Sequence, residues 1–367
     1  MSNANYRNAL PHGHVLRGYV IRSVIGQGGF GITYKADDTD FNQTVAIKEF
    51  LPAELAFRDE QNTVRPSTRE QQETYDWGLE RFLNEARMLE KFRHPNVIKV
   101  HEVFTLNNTA YMVMEYAQGK DLLSLLFKGK FRDEASLKAL TLPLLDGLDH
   151  VHRAGFIHRD IKPANIYIRK EGPVLLDFGS ARQAVNTQRR TMTSLVTPGF
   201  APYEQHDNDG TRQGPWTDIY AFGATLYYAI TQRAPVDAII RSHAYLNHEE
   251  DPYEPLVKIA GREYSLNFLR AVDAALRFRE ADRPQTARAW ADMIRGKTTV
   301  SAPPANADAT PAAGRRGGKP VAKAPAKPAV ARRPAPPSQG LPHALKATLA
   351  ALVTLLLFAT LLYAVFA

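Results

Sequence analysis

The sequence contains the segment Ile157-His158-Arg159-Asp160-Ile161-Lys162-Pro163-Ala164-Asn165 and, 17 residues after Asp160, the triplet Asp177-Phe178-Gly179. Asp160 can orient a hydroxyl group and accept its proton, and Lys162 can neutralise charge on a phosphoryl group during its transfer. Asn165 and Asp177 offer the oxygen ligands that Mg²⁺ prefers. Because the two segments supply a base, a cation and two metal ligands in this order, they predict phosphoryl transfer.

A glycine-rich segment, Gly26-Gln27-Gly28-Gly29-Phe30-Gly31, lies near the N-terminus. Alone, this spacing fits a dinucleotide-binding Rossmann site or a plain glycine turn as well as a phosphate-binding loop. A Rossmann site needs a helix directly after the glycines, whereas Ile32-Thr33-Tyr34-Lys35 has the composition of a strand. The order favours a β-hairpin over phosphates, since glycine lets backbone N–H groups approach them closely.

Lys48 ends the apolar segment Val45-Ala46-Ile47-Lys48. A lysine inside an apolar strand is costly to bury unless a charge compensates it, so the alternative is an edge strand whose lysine points to water. Glu85, in the segment Arg81-Phe82-Leu83-Asn84-Glu85-Ala86, is the candidate partner on the next helix. A solvated helix surface is the alternative for Glu85, and both choices depend on the downstream segments.

Hydrophobic periodicity divides the folded part of the chain into a β-rich first part and a helical remainder. Runs rich in Val, Ile, Tyr and Thr predict strands at Tyr19–Ile25, Ile32–Ala36, Thr44–Glu49, Ile98–Thr105 and Ala110–Glu115. Spacing of three and four residues predicts helices at Leu79–Phe92, Leu137–Ala154, Asp218–Thr231, Leu266–Leu276 and Thr286–Ile294.

The net charge of +8 resides in one segment of the chain. Between Lys297 and Lys346 there are nine Lys or Arg residues and one acidic residue, Asp308, which leaves 37 basic and 37 acidic residues elsewhere. A nucleic-acid-binding domain would carry its basic residues on a folded face, so no nucleic acid is expected as a partner. The chain has no Cys, which excludes disulfides, zinc–thiolate sites and thiol catalysis.

The residues after Gly296 differ in composition from the rest of the chain. Residues 297–343 contain ten of the 24 prolines together with many Ala and Lys, which predicts a disordered linker. Residues 344–367 include an uncharged stretch from Ala347 onward that is long enough to cross a hydrocarbon core of ~30 Å. A buried core helix is the alternative to a transmembrane helix there. Since the basic linker precedes it, the preceding domain is expected on the cytoplasmic side.

Residues 14–296 resemble the catalytic domain of Hanks-type, or eukaryotic-like, protein kinases in their bacterial serine/threonine branch. The resemblance implies an α+β, two-lobed protein kinase fold. A β-rich N-lobe with one helix, αC, would occupy 14–117, and a mainly helical C-lobe would occupy 118–296. Residues 1–13 would form an N-terminal tail, and the linker and the transmembrane helix would follow the C-lobe.

The resemblance also implies a role for each residue of the cleft. Lys48 would contact the α- and β-phosphates and pair with Glu85, and Met114 would be the gatekeeper beside the adenine-binding hinge Glu115–Ala117. Asp121 would contact the ribose. The catalytic residues would be Asp160, Lys162, Asn165, Lys48 and Glu85, and the metal ligands for Mg²⁺, or Mn²⁺ in its place, would be Asn165 and Asp177. The ATP-binding residues would be Ile25, Gly26, Gln27, Gly28, Gly29, Phe30, Gly31, Thr33, Ala46, Lys48, Met114, Glu115, Ala117, Asp121 and Tyr167.

Residues outside the cleft acquire supporting roles from the same resemblance. Glu204 would form a buried ion pair with Arg283, and Asp218 would anchor the catalytic loop. Lys162 together with Thr197 is similar to serine/threonine rather than tyrosine kinases. The activation segment would be about 180–196, and its candidate autophosphorylation sites are Thr191 and Thr193. The alternative is that these threonines are ordinary polar loop residues.

Four features depart from the family pattern. Thr33 replaces the usual Val above adenine, Tyr167 stands where a Leu often forms the floor, and Tyr203 interrupts the Ala-Pro-Glu sequence as Ala-Pro-Tyr-Glu. Lys48 and Glu85 are also farther apart than usual, because Phe50–Trp77 adds a mainly polar stretch. A tolerated surface loop is favoured for this stretch over a regulatory or partner-docking insert.

The sequence as a whole predicts a membrane-tethered serine/threonine protein kinase that uses ATP and Mg²⁺ and acts on protein substrates. Membrane lipid would be a further partner, through the C-terminal helix and the basic linker. A homodimer would allow autophosphorylation in trans. Two alternatives are a pseudokinase scaffold, which would bind partners without transfer, and a small-molecule phosphotransferase of related fold.

Overall fold

A computed structural model describes Tyr6 and residues 8–178, 197–206 and 211–298. Gly179, the candidate phosphorylation sites Thr191 and Thr193, the linker beyond residue 298 and the predicted transmembrane helix lie outside the described residues. Among the helices that are described, none is long and apolar enough to cross a membrane.

The N-lobe is built on a six-stranded antiparallel sheet in the order β1-β2-β3-β4-β8-β7. Alternate residues of β3 are buried, so Ile32, Tyr34 and Ala36 face the core while their neighbours are half-buried. The five strands that the sequence predicted are confirmed, since each observed end lies within three residues of the predicted end. The strands of the sheet are β1 (Val15–Leu16), β2 (Tyr19–Gly28), β3 (Gly31–Asp38), β4 (Gln43–Phe50), β7 (Val100–Leu106) and β8 (Thr109–Glu115).

Helix α1 (Arg69–Leu89) packs against this sheet and begins ten residues before the predicted start at Leu79. The prediction missed its first turns because they are mostly polar, with Tyr75 as their buried residue. The Tyr75 and Phe82 rings lie 5.4 and 5.6 Å from the ring of Phe50, measured between centroids. These contacts fix the helix against the end of β4.

The stretch 50–77 is not the surface loop that the sequence favoured. It contains a short hairpin of β5 (Ala56–Arg58) and β6 (Val64–Pro66), and Leu51, Leu55 and Val64 are buried in the N-lobe. Its Arg58 forms an ion pair with Glu49, and the two side chains are 4% and 0% exposed. A loop with buried apolar residues and a buried ion pair is part of the core.

The N-terminal residues also contribute to the N-lobe. Leu10, which the sequence placed in a tail, is fully buried, and its N–H donates to the Tyr34 hydroxyl at 3.1 Å. The Arg58 side chain donates to the carbonyl of Asn8 at 2.8 Å. The packed unit therefore begins before residue 14.

The C-lobe is mainly helical and carries a small sheet next to the cleft. Its core includes Leu144, Phe222 and Trp290, and the Trp290 indole donates to the carbonyl of Ala271 at 2.8 Å. The predicted α+β, two-lobed fold is thus confirmed. The helices are α2 (Leu122–Phe127), α3 (Glu134–Arg153), α4 (Pro215–Thr231), α5 (Ala238–Leu246), α6 (Leu256–Ile259), α7 (Leu266–Ala275) and α8 (Ala287–Ile294), and the strands are β9 (Gly119–Asp121), β10 (Ile166–Arg169) and β11 (Gly172–Leu175).

Replacement of Arg58 by Ala is expected to lower the free energy of unfolding by about 3–5 kcal/mol, because the Glu49 carboxylate would stay buried without its partner. Urea denaturation of the full chain measures this change. The matched control is Arg65→Ala, since Arg65 is 60% exposed and its pair with Asp59 should contribute less than about 1 kcal/mol. Equal losses for the two variants would contradict a core role for the 50–77 stretch.

Candidate active site

Asp160 lies between a cation and an amide at the mouth of the cleft. Lys162 Nζ is 3.1 Å from its Oδ1, and Asn165 Nδ2 donates to its Oδ2 at 2.7 Å and to its carbonyl at 2.8 Å. A 3₁₀ turn at Pro163–Asn165 directs Asn165 back onto the residue five positions earlier. The structure therefore brings together the three residues that the sequence assigned to the base, the cation and a metal ligand.

Lys162 also reaches the segment that carries the serine/threonine assignment. Its Nζ donates to the hydroxyl of Thr197 at 3.2 Å. One ammonium group thus bridges the carboxylate of Asp160 and the hydroxyl of Thr197, across 35 residues of sequence. The two residues on which the resemblance to serine/threonine kinases was based are therefore in direct contact.

Asp218, in the first turn of α4, anchors the catalytic segment, residues 157–165, through its backbone. Its carboxylate is fully buried, and it accepts hydrogen bonds from the backbone N–H groups of His158 at 2.7 Å and Arg159 at 2.8 Å. His152 Nε2 lies 2.8 Å from the same carboxylate. Burial by itself would raise the pKa of Asp218, but the His152 hydrogen bond and the backbone N–H of Arg159 hold that pKa below its ordinary value. The ionised form is therefore the stable one, where the resemblance placed an anchor.

Two residues of the catalytic segments have a left-handed backbone. Arg159 has φ of +68° and Asp177 has φ of +50°, which is costly for a residue with a side chain. Such strain persists only where the surroundings fix it, as the Asp218 carboxylate does for Arg159. A backbone hydrogen bond of 2.9 Å, from Leu176 N–H to the carbonyl of Asn165, also joins the two segments.

His158 links the catalytic segment to Asp177 by packing. Its ring centroid lies 4.2 Å from that of Phe178, and both residues are buried. His158 Nε2 lies 2.8 Å from the carbonyl of Leu176, and Nδ1 lies 3.3 Å from the N–H of Asp160. This pattern fits the neutral ring with its proton on Nε2, in keeping with the burial that lowers the pKa of His158.

Lys48 meets Asp177 across the cleft. The distance from Lys48 Nζ to Asp177 Oδ1 is 2.7 Å, and the two residues are 129 positions apart in the chain. Glu85 is buried on α1. The Glu85 charge also acts on Arg159. Burial lowers the pKa of Arg159, whereas the negative charges of Asp218 and Glu85 raise it. The ion pair between Lys48 and Glu85 that the resemblance implies stays a prediction.

A cavity of about 260 Å³ lies between the lobes, beside the Lys48–Asp177 pair. Eight of its lining residues were assigned to ATP by sequence, namely Ile25, Gly26, Thr33, Ala46, Met114, Glu115, Ala117 and Tyr167. Two departures from the family pattern, Thr33 and Tyr167, therefore line it. The lining also includes Asp177, the hinge residue Tyr116, and four residues that the sequence did not assign to ATP, Ile98, Gly119, Ala164 and Leu176.

Gly119 is the missed residue with the clearest signal in the sequence. A Cβ at this position would lie 2.3 Å from the carbonyl oxygen of Ile168, so only glycine fits between the hinge and β10. A glycine just after the predicted hinge was a visible sign of a close backbone approach. Leu176 and Ala164 could also have been predicted to line the cavity, since each directly precedes an assigned metal ligand.

Asp121 does not line this cavity. Its carboxylate caps α2, accepting from the N–H and the hydroxyl of Ser124, each at 2.7 Å. The ribose contact that the resemblance implies for Asp121 stays a prediction. The capping role is one that any acidic residue at a helix N-terminus can have.

The glycine-rich hairpin contains glycines of two kinds. A Cβ at Gly31 would lie 2.0 Å from the carbonyl oxygen of Glu49, so the pairing of β3 with β4 requires glycine there. A Cβ at Gly28 or Gly29 would meet nothing within 4 Å, and neither residue has a positive φ. The protein itself thus gives no steric reason for Gly28 and Gly29, which is consistent with a ligand that approaches the backbone closely.

The donor set at the cleft suits Mg²⁺ bound together with phosphates. The Asp177 side chain is 42% exposed, and Asn165 lies one hydrogen bond away through Leu176. In the part of the chain that the structure describes, no three His, Asp or Glu residues are grouped as a metal cluster. One carboxylate and one amide are enough when phosphate oxygens and water complete the shell.

Glu204 and Arg283 form the buried ion pair that the resemblance implies. Arg283 donates to the two carboxylate oxygens of Glu204 at 2.7 and 3.2 Å, and both side chains are at most 1% exposed. Thr217 donates to Glu204 at 3.0 Å, and the Arg283 guanidinium lies 4.7 Å from the centroid of the Tyr220 ring. The insertion of Tyr203 before Glu204 leaves this pair intact.

Residues 19–289 match the family model described as protein kinase domain. Since the match covers well over half of the chain, this protein belongs to the protein kinase domain family. The structure of PpkA-294 in its apo form has 39% sequence identity and a TM-score of 0.71, and the match covers 78% of this chain and 99% of that one. The crystal structure of Rad53 1-466 in complex with AMP-PNP, at 20% identity and a TM-score of 0.55, shares the fold.

Curated relatives carry serine/threonine kinase names. "Probable serine/threonine-protein kinase SCO3848" of Streptomyces coelicolor is 34% identical over 249 residues, which are 65% of this chain and 34% of that protein. Serine/threonine-protein kinase PknA of Nostoc sp. is 28% identical over 302 residues, 78% of this chain and 48% of that protein. The matches with these relatives thus span between a third and a half of their length.

The buried neutral His158 predicts a pH dependence of stability. Its folded pKa lies below 6.5, so its contribution is complete above pH 6.5 and is lost as the pH falls from 6.5 through the lowered value. Over that window the slope from this one group is at most about 1.4 kcal/mol per pH unit. Chemical denaturation between about pH 7.5 and 5 should show a shallower loss for His158→Phe than for the wild type.

The control for this prediction is His243→Phe, because His243 is exposed and its profile should follow the wild type. Parallel profiles for the wild type and His158→Phe would contradict the assignment of a neutral, buried imidazole.

Proposed function

We propose that this protein is a serine/threonine protein kinase that transfers the γ-phosphate of Mg-ATP to protein hydroxyl groups. The observation that carries the proposal is the Asp160 carboxylate, which is held between Lys162 and Asn165. Family membership and the names of the relatives support the same activity. That a protein of the same fold forms a complex with AMP-PNP agrees with ATP as the cofactor.

The residues of this chain divide the work of the reaction. Asp160 would orient the substrate hydroxyl and accept its proton, while Lys162, beside it, would neutralise the charge of the transferred group. Lys48 would hold phosphate oxygens, and Asn165 and Asp177 would hold Mg²⁺. When bound, Mg-ATP supplies the phosphoryl group and a cation that screens its charge.

Thr197 is the residue that supports serine and threonine as acceptors. Its hydroxyl accepts from the same Lys162 ammonium that contacts Asp160, so Thr197 lies beside the group that would orient the acceptor hydroxyl. A pseudokinase scaffold is the second candidate for the fold. It is less well supported, since the sequence retains Lys48, Asp160 and Asp177, with the contacts described above.

Phosphate transfer from labelled ATP to the protein itself and to a generic basic protein tests the activity. Asp160→Asn and Asp177→Asn should each lower incorporation by at least about 100-fold, because they remove the base and a metal ligand. Asp146→Asn is the matched control, since the Asp146 side chain is 75% exposed and neither it nor its partner His94 lines the cavity. If the wild type incorporates no more phosphate than the two cleft variants, with Mg²⁺ or Mn²⁺ present, the protein is a pseudokinase scaffold and not an active kinase.

The proposal includes autophosphorylation of the activation segment, on Thr191 or Thr193. Arg159, next to the catalytic Asp160, donates to the side chain of Gln213 at 2.9 Å, and its carbonyl accepts from Gln205. A phosphate on the segment would give this arginine a stronger partner and would order the segment. A homodimer would permit the transfer in trans.

The proposal also includes a membrane anchor at residues 344–367, with the kinase domain on the cytoplasmic side. It is supported by the uncharged sequence from Ala347 onward and by the nine Lys or Arg residues between Lys297 and Lys346. Basic residues near an anionic surface contribute ~1 kcal/mol each at low salt. Lipid would then be a second class of partner beside protein substrates.

Deletion of residues 344–367 is expected to move the protein from the membrane fraction to the soluble fraction, because the deletion removes the apolar span. Fractionation followed by carbonate extraction measures the change, and deletion of a linker segment of equal length within 297–343 is the control. A full-length protein that is already soluble would contradict the anchor.

A further inference from the structure

The turn of the glycine-rich hairpin, residues 28–30, is called the tip below. A segment outside the hairpin holds this tip through backbone hydrogen bonds. The N–H of Leu51 donates to the carbonyl of Phe30, and the N–H of Ala53 donates to the carbonyl of Gly29, each at 3.1 Å. Residues 51–67, hereafter the strap, directly follow β4 and belong to the stretch that lengthens the connection from Lys48 to Glu85. The ladder between β3 and β4 therefore continues past the last pair, Gly31 with Phe50, around the hairpin turn.

The strap begins with a closed turn. The N–H groups of Leu55 and Ala56 both donate to the carbonyl of Pro52 at 2.9 Å. The N–H of Ser67 returns to the carbonyl of Leu55 at 2.7 Å, so the two ends of the strap are tied together. Pro52 and Leu55 are buried, whereas Ala53, between them, is exposed.

The strap is fixed to three other parts of the N-lobe. Arg58 pairs with Glu49, the residue next to the catalytic Lys48, and it also donates to the carbonyl of Asn8. The N–H of Val64 donates to the carbonyl of Asn107 at 2.9 Å, in the turn between β7 and β8. The donors of the two bonds to the hairpin tip thus sit on a segment that the core immobilises.

The hairpin tip has less support of its own. A Cβ at Gly28 or Gly29 would meet nothing within 4 Å, so no packing contact at the Cβ position holds these two residues. The strap bonds to carbonyl groups of the tip, whereas phosphate would be bound by N–H groups, so strap and phosphate do not compete for the same atoms. The strap can therefore order the tip in the free protein and leave it able to bind.

We propose that Leu51 and Ala53 are positioning residues that preorganise the glycine-rich hairpin for the phosphates of ATP. This inference rests on the proposed function. Ordering backbone before binding removes that cost from the binding step, so loss of the strap bonds weakens phosphate binding. The cavity residues that are expected to contact adenine lie on β2, β3, β4 and the hinge, and the cavity lining does not include Gly29 or Phe30, so adenosine binding should not change.

The substitution Ala53→Pro tests this role. Ala53 is the second residue of the turn that the Leu55-to-Pro52 bond closes, a position that favours proline. The substitution removes the N–H that reaches Gly29 and keeps the turn. Ala53→Ser is the matched control, because it retains the N–H at the same exposed position.

Affinities for Mg–AMP-PNP and for adenosine are measured by calorimetry on the full chain, with the melting temperature as a check of folding. Ala53→Pro should weaken AMP-PNP binding by about 5- to 30-fold and change adenosine binding by less than about twofold, while Ala53→Ser matches the wild type. Equal AMP-PNP affinities for the two variants would overturn the proposal. Equal weakening of both ligands would do the same, since the strap would then only support the shape of the cleft.

A second measurement uses only the wild type, so it tests the proposal even if the Ala53→Pro variant does not fold. Amide hydrogen exchange of the free wild type should show protection of the Leu51 and Ala53 amides, and fast exchange of both would overturn the proposal. A wild type that binds adenosine and AMP-PNP equally weakly or not at all would refute the proposed function itself, and the positioning role with it. The proposed function survives if AMP-PNP binds the wild type well and only the Ala53→Pro result fails.

Discussion

The fully buried carboxylate of Asp218 accepts the backbone N–H groups of His158 and Arg159, and the catalytic segment depends on these two bonds. A charge at this depth that lost its partners would cost several kcal/mol, so the segment cannot move away without destabilising the C-lobe. Asp218 lies in the first turn of α4, where the helix dipole also favours a negative charge. The strained backbone of Arg159 and the position of Asp160 beside it follow from this anchor.

The cleft then depends on a contact between the lobes. Lys48 is placed by the central strand β4 and Asp177 follows β11, and their 2.7 Å ion pair joins the two lobes beside the cavity. The buried Glu49–Arg58 pair, one residue farther along β4, connects the same strand to the strap. The packing of β4 therefore positions Lys48 and also connects β4 to the strap, which is proposed to hold the glycine-rich hairpin in one conformation.

Strands and most helices were predictable because their burial follows a simple period. Alternation in β3 and three-to-four spacing in α7 are visible in the sequence, and both elements were predicted with small boundary errors. The start of α1 was not predictable in this way, because its first turns are polar and pack through Tyr75. The strap was misread for a similar reason. Its charged residues suggest a surface loop, but the partner that lets Arg58 be buried lies nine residues earlier, on another strand.

The chemistry of the site was predictable from residues 157–179 alone, since a base, a cation and two oxygen ligands in a fixed order leave few alternatives to phosphoryl transfer. The family resemblance also predicted eight of the 14 residues that line the cavity, although only Gly26 of the glycine-rich segment is among them. Which of these groups contact one another depends on how the helices and strands pack together. The pair of Lys48 with Asp177 and the strap bonds to Gly29 and Phe30 join residues whose local patterns do not specify a partner. The physical reason is that spacing along the chain encodes which face of an element is buried, whereas the partner across a contact is set by how separate elements pack.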